Sequence, residues 1–183
     1  MGNLIIRNGM IIDGTGADAF KGDVVVAGDK IESVVSSGEQ PSRESAVTDA
    51  GALVIDAGGQ VVAPGFIDCH SHFDWMMPLP DHHEFLFPMV EQGVTTVVTG
   101  NCGFSPAPVN AEGKLVLNEL SGPLIEKPLS YEWETMGSFF NFLESSDGLL
   151  FNNVQLVGHG AVHLAAVRDY TSQPDAREMQ KMI

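Results

Sequence analysis

Two histidines spaced one residue apart, His70 and His72, end a nearly continuous apolar run, Val61-Val62-Ala63-Pro64-Gly65-Phe66-Ile67-Asp68. On a strand, residues two apart point to the same face, so this spacing sets two imidazoles side by side. Neutral imidazoles so placed suit Zn²⁺, with each nitrogen about 2.0–2.1 Å from the metal. The other reading is a pair of polar strand-end residues in water. A second apolar run, Val94 to Thr99, leads into Gly100-Asn101-Cys102-Gly103. A Cys102 thiolate could join the histidines at about 2.3 Å from zinc, and the flanking glycines allow close backbone approach. The competing reading is a small buried thiol, the usual state of a free cysteine. Asp74 either orients a ligating imidazole or forms a turn. His159, after a third run, polarises a substrate carbonyl, stays in the outer shell, or is hydrogen-bonded in a glycine turn. Asn101 joins Asp74 and His159 as a candidate for substrate or outer-shell contact.

These residues need elements to hold them. Asn8-Gly9, between Leu4–Ile6 and Met10–Ile12, predicts a hairpin, and Ala27-Gly28-Asp29 predicts a second between Asp23–Val26 and Lys30–Val35. Ser36 to Ser45 reads as a surface loop, and Val54-Ile55 as a short strand. From residue 60 the pattern changes to buried strands alternating with helices. Asp81 is positioned to cap a helix reaching Gln92, with Glu84 as reciprocal partner and Pro88 as a kink. Gly103 to about Ser130 reads as a long Pro- and Gly-rich loop. Tyr131 to Glu144 carries a helical apolar stripe. Asn153–Val157 is a third buried strand, and Pro174–Ile183 begins another helix. Parity sends Cys69 toward a helix, and His82 and His83 read as solvated. Met76-Met77 and Phe85-Leu86-Phe87 read as core or as surface awaiting cover.

Alternating strands and helices imply a parallel α/β sheet, whose active sites lie at the carboxyl ends of the strands. Three such units cannot close a barrel, which takes about eight strands and some 250 residues. Residues 1–59 therefore read as a small β-domain and 60–183 as the first β/α units of an incomplete barrel.

Composition sets the outer limits. Nine Lys and Arg against 24 Asp and Glu give a formal net charge of -15 over 183 residues. That balance argues against nucleic acid or an anionic membrane as partner. Apolar content of 44% suits a packed core rather than a disordered chain. Two cysteines are too few for a disulfide framework, and no spanning-length apolar run or signal segment is present. The chain reads as a soluble cytoplasmic protein.

Ala63-Pro64-Gly65-Phe66-Ile67-Asp68-Cys69-His70-Ser71-His72 resembles the first barrel strand of the amidohydrolase superfamily. Gly93 through Pro108, with Gly100-Asn101-Cys102-Gly103 at its centre, is similar to the N-acyl-D-amino-acid deacylases (D-aminoacylases). Asn8-Gly9 through Gly16 resembles the start of their small β-sandwich domain, and Val157-Gly158-His159-Gly160 their third barrel strand. The resemblance implies a zinc-dependent hydrolase of linear amide bonds, holding one or two ions. His70, His72 and Cys102 match metal ligands, and the substrate would be a small N-acyl-D-amino acid. It further implies that the remaining histidine ligands and an aspartate general base lie beyond Ile183. The chain would then be an inactive N-terminal fragment, prone to self-association through its open barrel edge. His163 departs from the arginine usual in the family. Two rivals remain. Cyclic-amide hydrolases of the dihydropyrimidinase or hydantoinase kind share the histidine pair but use a carboxylated lysine, against which Cys102 argues. The other is a non-catalytic metal-binding fragment.

Overall fold

A computed structural model describes residues 2–39, 51–146, 148–167 and 171–183. The chain divides into two units, Met1–Pro64 and Gly65–Ile183.

In the first unit, β1 (Asn3–Ile11), β2 (Phe20–Ala27), β3 (Lys30–Ser36) and β4 (Ala52–Asp56) form a sheet of order β3-β2-β1-β4, and β5 (Val61–Val62) also pairs with β1. The expected β2–β3 hairpin is present, with Ala27 opposite Lys30. The expected Asn8-Gly9 hairpin is not, because β1 runs straight through it. Asn8 does adopt a positive φ of 61°, but as a bulge that shifts the β1–β2 register between Ile6 and Gly9. Its amide donates to Asp23 Oδ1 and its side chain to Asp56 Oδ1, both at 2.9 Å. Gly9 serves packing: a Cβ there would lie 2.5 Å from Val62 Cγ2. The β1–β4 and β1–β5 pairings are parallel, so the sheet is no simple meander. Among its described residues, Ile5, Ile11, Val24, Val25, Val35 and Ala57 are the buried apolar ones, a small core. The loop expected over Ser36–Ser45 has Ser36 inside β3, and its residues 40–45 lie outside the described residues.

The second unit holds a parallel sheet, β6 (Phe66–Asp68), β7 (Val94–Thr99) and β8 (Asn152–Gln155), in that order. Val61 and Val62, expected to open the first barrel strand, belong to the other sheet. Proline at 64 interrupts the run between them and β6.

Four helices pack on or near this sheet: α1 (His82–Glu91), α2 (Ala111–Ser121), α3 (Met136–Ser145) and α4 (His159–Ala166). A fifth, α5 (Ala176–Lys181), follows. α1 continues through Pro88, and Asp81 occupies the cap position without a side-chain cap bond. α2 lies within the segment expected to be a long loop. Asn110 caps it by accepting from the Gly113 amide at 2.7 Å. Thr135 and Ser138 form a reciprocal capping box on α3, as Asp175 and Glu178 do on α5. Trp75, Met77, Leu86, Val97, Leu117, Trp133 and Phe139 are wholly or almost wholly buried at the centre of this unit. Phe85 and Phe87 are exposed on α1. No helix among the described residues is long and apolar enough to cross a membrane.

Candidate metal centre

Strand β6 stops at Asp68, so the histidines occupy the turn beyond the strand rather than the strand itself. Asp68 Oδ1 accepts from the His70 amide at 3.1 Å, and the Ser71 amide donates to the Val98 carbonyl at 3.0 Å. These bonds keep the turn beside the end of β7. The His70 and His72 rings meet edge to face, with centroids 5.9 Å apart. Leaving the strand also cancels the parity argument for Cys69, which is exposed instead of packed on a helix.

β7 ends in Thr99, and the chain then turns through a short 3₁₀ segment, Asn101–Gly103. Gly100 takes φ 76°, and a Cβ there would lie 2.0 Å from the Leu156 carbonyl oxygen. Cys102 itself is left-handed, at φ 56° and ψ 23°. A side-chain-bearing residue held there costs on the order of 1–3 kcal/mol and points to function where it occurs. The turn brings Cys102 Sγ to 3.3 Å from His70 Nε2. His70, His72 and Cys102 each offer one ligand atom, and these atoms all lie within 4.8 Å of one another. Tetrahedral zinc with its usual bond lengths separates neighbouring donors by about 3.3–3.8 Å, so one pair already matches. His72 Nδ1 is buried without a hydrogen-bond partner. Such an atom is costly unless something binds it. Two imidazoles and an exposed thiol thus form a donor set of borderline softness, suited to zinc.

Asp74 is fully buried in a second 3₁₀ turn, Phe73–Trp75. Its Oδ2 accepts from the Gly100 amide at 3.0 Å and from Gln155 Nε2 at 2.9 Å. Burial pushes its carboxyl up to about 6, opposed by the Gln155 and Gly100 donors. Its side chain thus links the cysteine turn to β8, while its backbone lies in a turn as one of the two readings expected. Gln155 was missed by sequence reasoning. β8 reads Asn-Asn-Val-Gln, so this amide stood beside two others and offered only a weak signal. Asn101 Nδ2 donates to the Ser71 and Val98 carbonyls at 3.2 and 2.8 Å, stapling the two strand ends together.

His159 is exposed in the first turn of α4, its ring 6.3 Å from that of His163. It does not join the three-residue cluster. His82, expected in water, is 4% exposed. Its Nδ1 lies 2.8 Å from the Leu79 carbonyl and its Nε2 lies 3.1 Å from that of Gly148, which His83 Nε2 also approaches at 3.0 Å.

The amidohydrolase family model matches residues 53–121, which carry the histidine pair and the cysteine turn. Beyond that window, the chain is 35% identical to an N-acyl-D-glutamate deacylase of Alcaligenes xylosoxydans xylosoxydans, over 98% of its own length and 33% of the relative's. The chain is thus similar to amidohydrolases over the stretch that carries the histidine pair and the cysteine turn. It is also 32% identical to a D-aminoacylase of the same organism, over 98% of the chain and 34% of that protein. Among solved structures, the N-acyl-D-glutamate deacylase of Bordetella bronchiseptica, complexed with zinc and a phosphonate inhibitor, superposes with a TM-score of 0.76. It shares 35% identity, over 99% of this chain and 34% of that one. A D-aminoacylase described as having a binuclear metal centre gives a TM-score of 0.77 at 33% identity, over 99% of this chain and 35% of that one. The chain spans about a third of the length of the relatives it matches.

Proposed function

We propose that His70, His72 and Cys102 ligate zinc in a hydrolase that releases D-amino acids from N-acyl-D-amino acids. The observation that carries this reading is the convergence of two imidazoles and one left-handed cysteine at adjacent strand ends, with ligand atoms within 4.8 Å. Zinc at such a site supplies Lewis acidity toward an amide carbonyl and lowers the pKa of water. The chain's own part is to hold the donors. His70 and His72 contribute neutral nitrogens, and Cys102 contributes a thiolate whose charge offsets that of the ion. Likeness to acyl-D-glutamate deacylase and D-aminoacylase supports the D-acyl substrate. Cys102 at the end of the second strand favours this substrate class over a cyclic amide, since those enzymes use a carboxylated lysine.

No carboxylate joins the three-residue cluster among the described residues. The reading for residues 1–183 taken alone is metal binding without turnover. The sheet supports one further expectation for the isolated chain. Phe66 and Ile67 on β6 are 67% and 61% exposed, and β8 leaves one edge of the sheet unpaired. Bare apolar strands with a free edge favour self-association, which light scattering on residues 1–183 measures. A monodisperse monomer would refute that expectation. The activity test compares the extended gene product on N-acetyl-D-amino acids, their L forms and dihydrouracil. Release of free D-amino acid is the expected result. Hydrolysis of dihydrouracil alone would overturn the assignment.

A further inference from the structure

The left-handed Cys102 turn is held from outside the residues that present the cysteine. Asp74, two residues past His72, reaches the Gly100 amide with one carboxylate oxygen. The same oxygen is gripped by Gln155 Nε2 from β8. Gln155 is fixed in its turn: its Oε1 lies 2.9 Å from the Thr99 hydroxyl and 3.0 Å from Asn153 Nδ2. Its Nε2 also lies 3.1 Å from the Leu156 carbonyl. Thr99 Oγ1 is a further 2.8 Å from Asn153 Oδ1. A partly buried polar chain thus runs from the histidine turn, through the buried Asp74, to the ends of β7 and β8. A carboxylate accepting two charge-assisted bonds is a strong anchor where water is excluded.

The anchor falls at Gly100, which opens the turn carrying Cys102, whose Sγ lies 3.3 Å from His70 Nε2. We infer that Asp74 and Gln155 are positioning residues for the metal site, bracing the Gly100–Cys102 turn so that the thiolate is held ready beside the two histidines. This rests on the proposed reading of His70, His72 and Cys102 as ligands. It differs from an outer-shell carboxylate that orients an imidazole, because the braced ligand is the cysteine.

Cadmium titration of the full chain tests the inference, since thiolate-to-cadmium charge transfer in the ultraviolet reports the Cys102–metal bond itself. Wild type should show the band and Cys102→Ser should lack it. Asp74→Ala should shift the titration midpoint to cadmium concentrations about 10- to 100-fold higher, the usual size of an outer-shell effect. Asp74→Asn keeps a side-chain oxygen to accept from Gly100 and should recover most of the loss. Gln155→Leu removes one of the two bonds and should shift the midpoint in the same direction by less. His82→Ala disturbs the fold away from this chain of bonds and should leave the midpoint in place, which separates bracing from general destabilisation. An absent band in wild type would overturn the ligand reading and the brace with it. A wild-type band with an unshifted midpoint in Asp74→Ala would overturn the brace alone. If Asp74→Ala does not fold, an unshifted midpoint in Gln155→Leu overturns it equally.

Discussion

Two pairs of histidines in the second unit lie next to each other or one residue apart in sequence, and the structure treats them in opposite ways. At His82 and His83 the ring nitrogens meet backbone carbonyls of Leu79 and Gly148, and His82 is sealed among them. At His70 and His72 the rings stand beside a thiol, and the buried His72 Nδ1 has no partner. The first pair has its hydrogen-bonding capacity spent on the fold. The second has it held open. Histidine count and spacing do not distinguish the pairs, but the accounting of their nitrogens does.

Removing a proposed ligand should have the largest effect. Cys102→Ala or His70→Ala should lower zinc content after gel filtration by more than the 10- to 100-fold typical of outer-shell changes. His82→Ala should retain wild-type zinc by the same elemental analysis. Equal metal in wild type and in the His70→Ala, Cys102→Ala double variant would erase the contrast between the pairs.

Next in size is the cost of His82→Ala to the fold. It leaves the Leu79 carbonyl with the backbone amide of residue 82 but without the ring, takes the buried ring away from the Gly148 carbonyl and opens a cavity. The expected loss is about 2–4 kcal/mol by urea denaturation. His83 is exposed, and His83→Ala should stay within about 0.5 kcal/mol of wild type. Similar losses from the two substitutions would show that burial does not divide their roles.

Tyr131 offers the finest test, because its buried hydroxyl is also unpartnered yet lies in an aromatic cluster rather than at a ligand site. Its ring centroid is 5.3 Å from that of Trp133. Burial raises its phenol above the ordinary tyrosine value of 10.0. With the folded pKa raised, Tyr131 ionises first in the unfolded chain. Its stabilising effect is therefore complete below about pH 10 and declines as pH rises beyond that. Tyr131→Phe should change stability by less than about 1 kcal/mol at neutral pH, leave zinc content untouched and weaken the alkaline loss. A fall in zinc would mean that this orphaned group, too, belongs to the site.

The contrast also shows what was legible from the chain. The proposed ligands, His-x-His past one strand and cysteine past a β-branched strand, stood out by residue type and spacing, and β7 spans Val94–Thr99 as its β-branched run predicts. The site is local, built from turns that directly follow their strands. The burial of His82 was not legible, because its second carbonyl partner lies 66 residues away. Gln155 and Asp74 meet across 81 residues, and no periodicity carries such a pairing. Asn8-Gly9 misled for a related reason. Its preference for positive φ suits a hairpin turn or a bulge equally, and pairing with β4 and β5 settles the choice. α2 was obscured by the Pro- and Gly-rich residues on either side of it, although Asn110 stands at its cap.

X-ray absorption at the zinc edge, on the full chain loaded with one equivalent of zinc, addresses the ligand set most directly. Two nitrogen neighbours at about 2.0–2.1 Å and one sulfur at about 2.3 Å are expected, with the sulfur lost in Cys102→Ala. A zinc shell containing only nitrogen and oxygen in the wild-type chain would show that the cysteine turn, whatever holds it, is not a metal ligand.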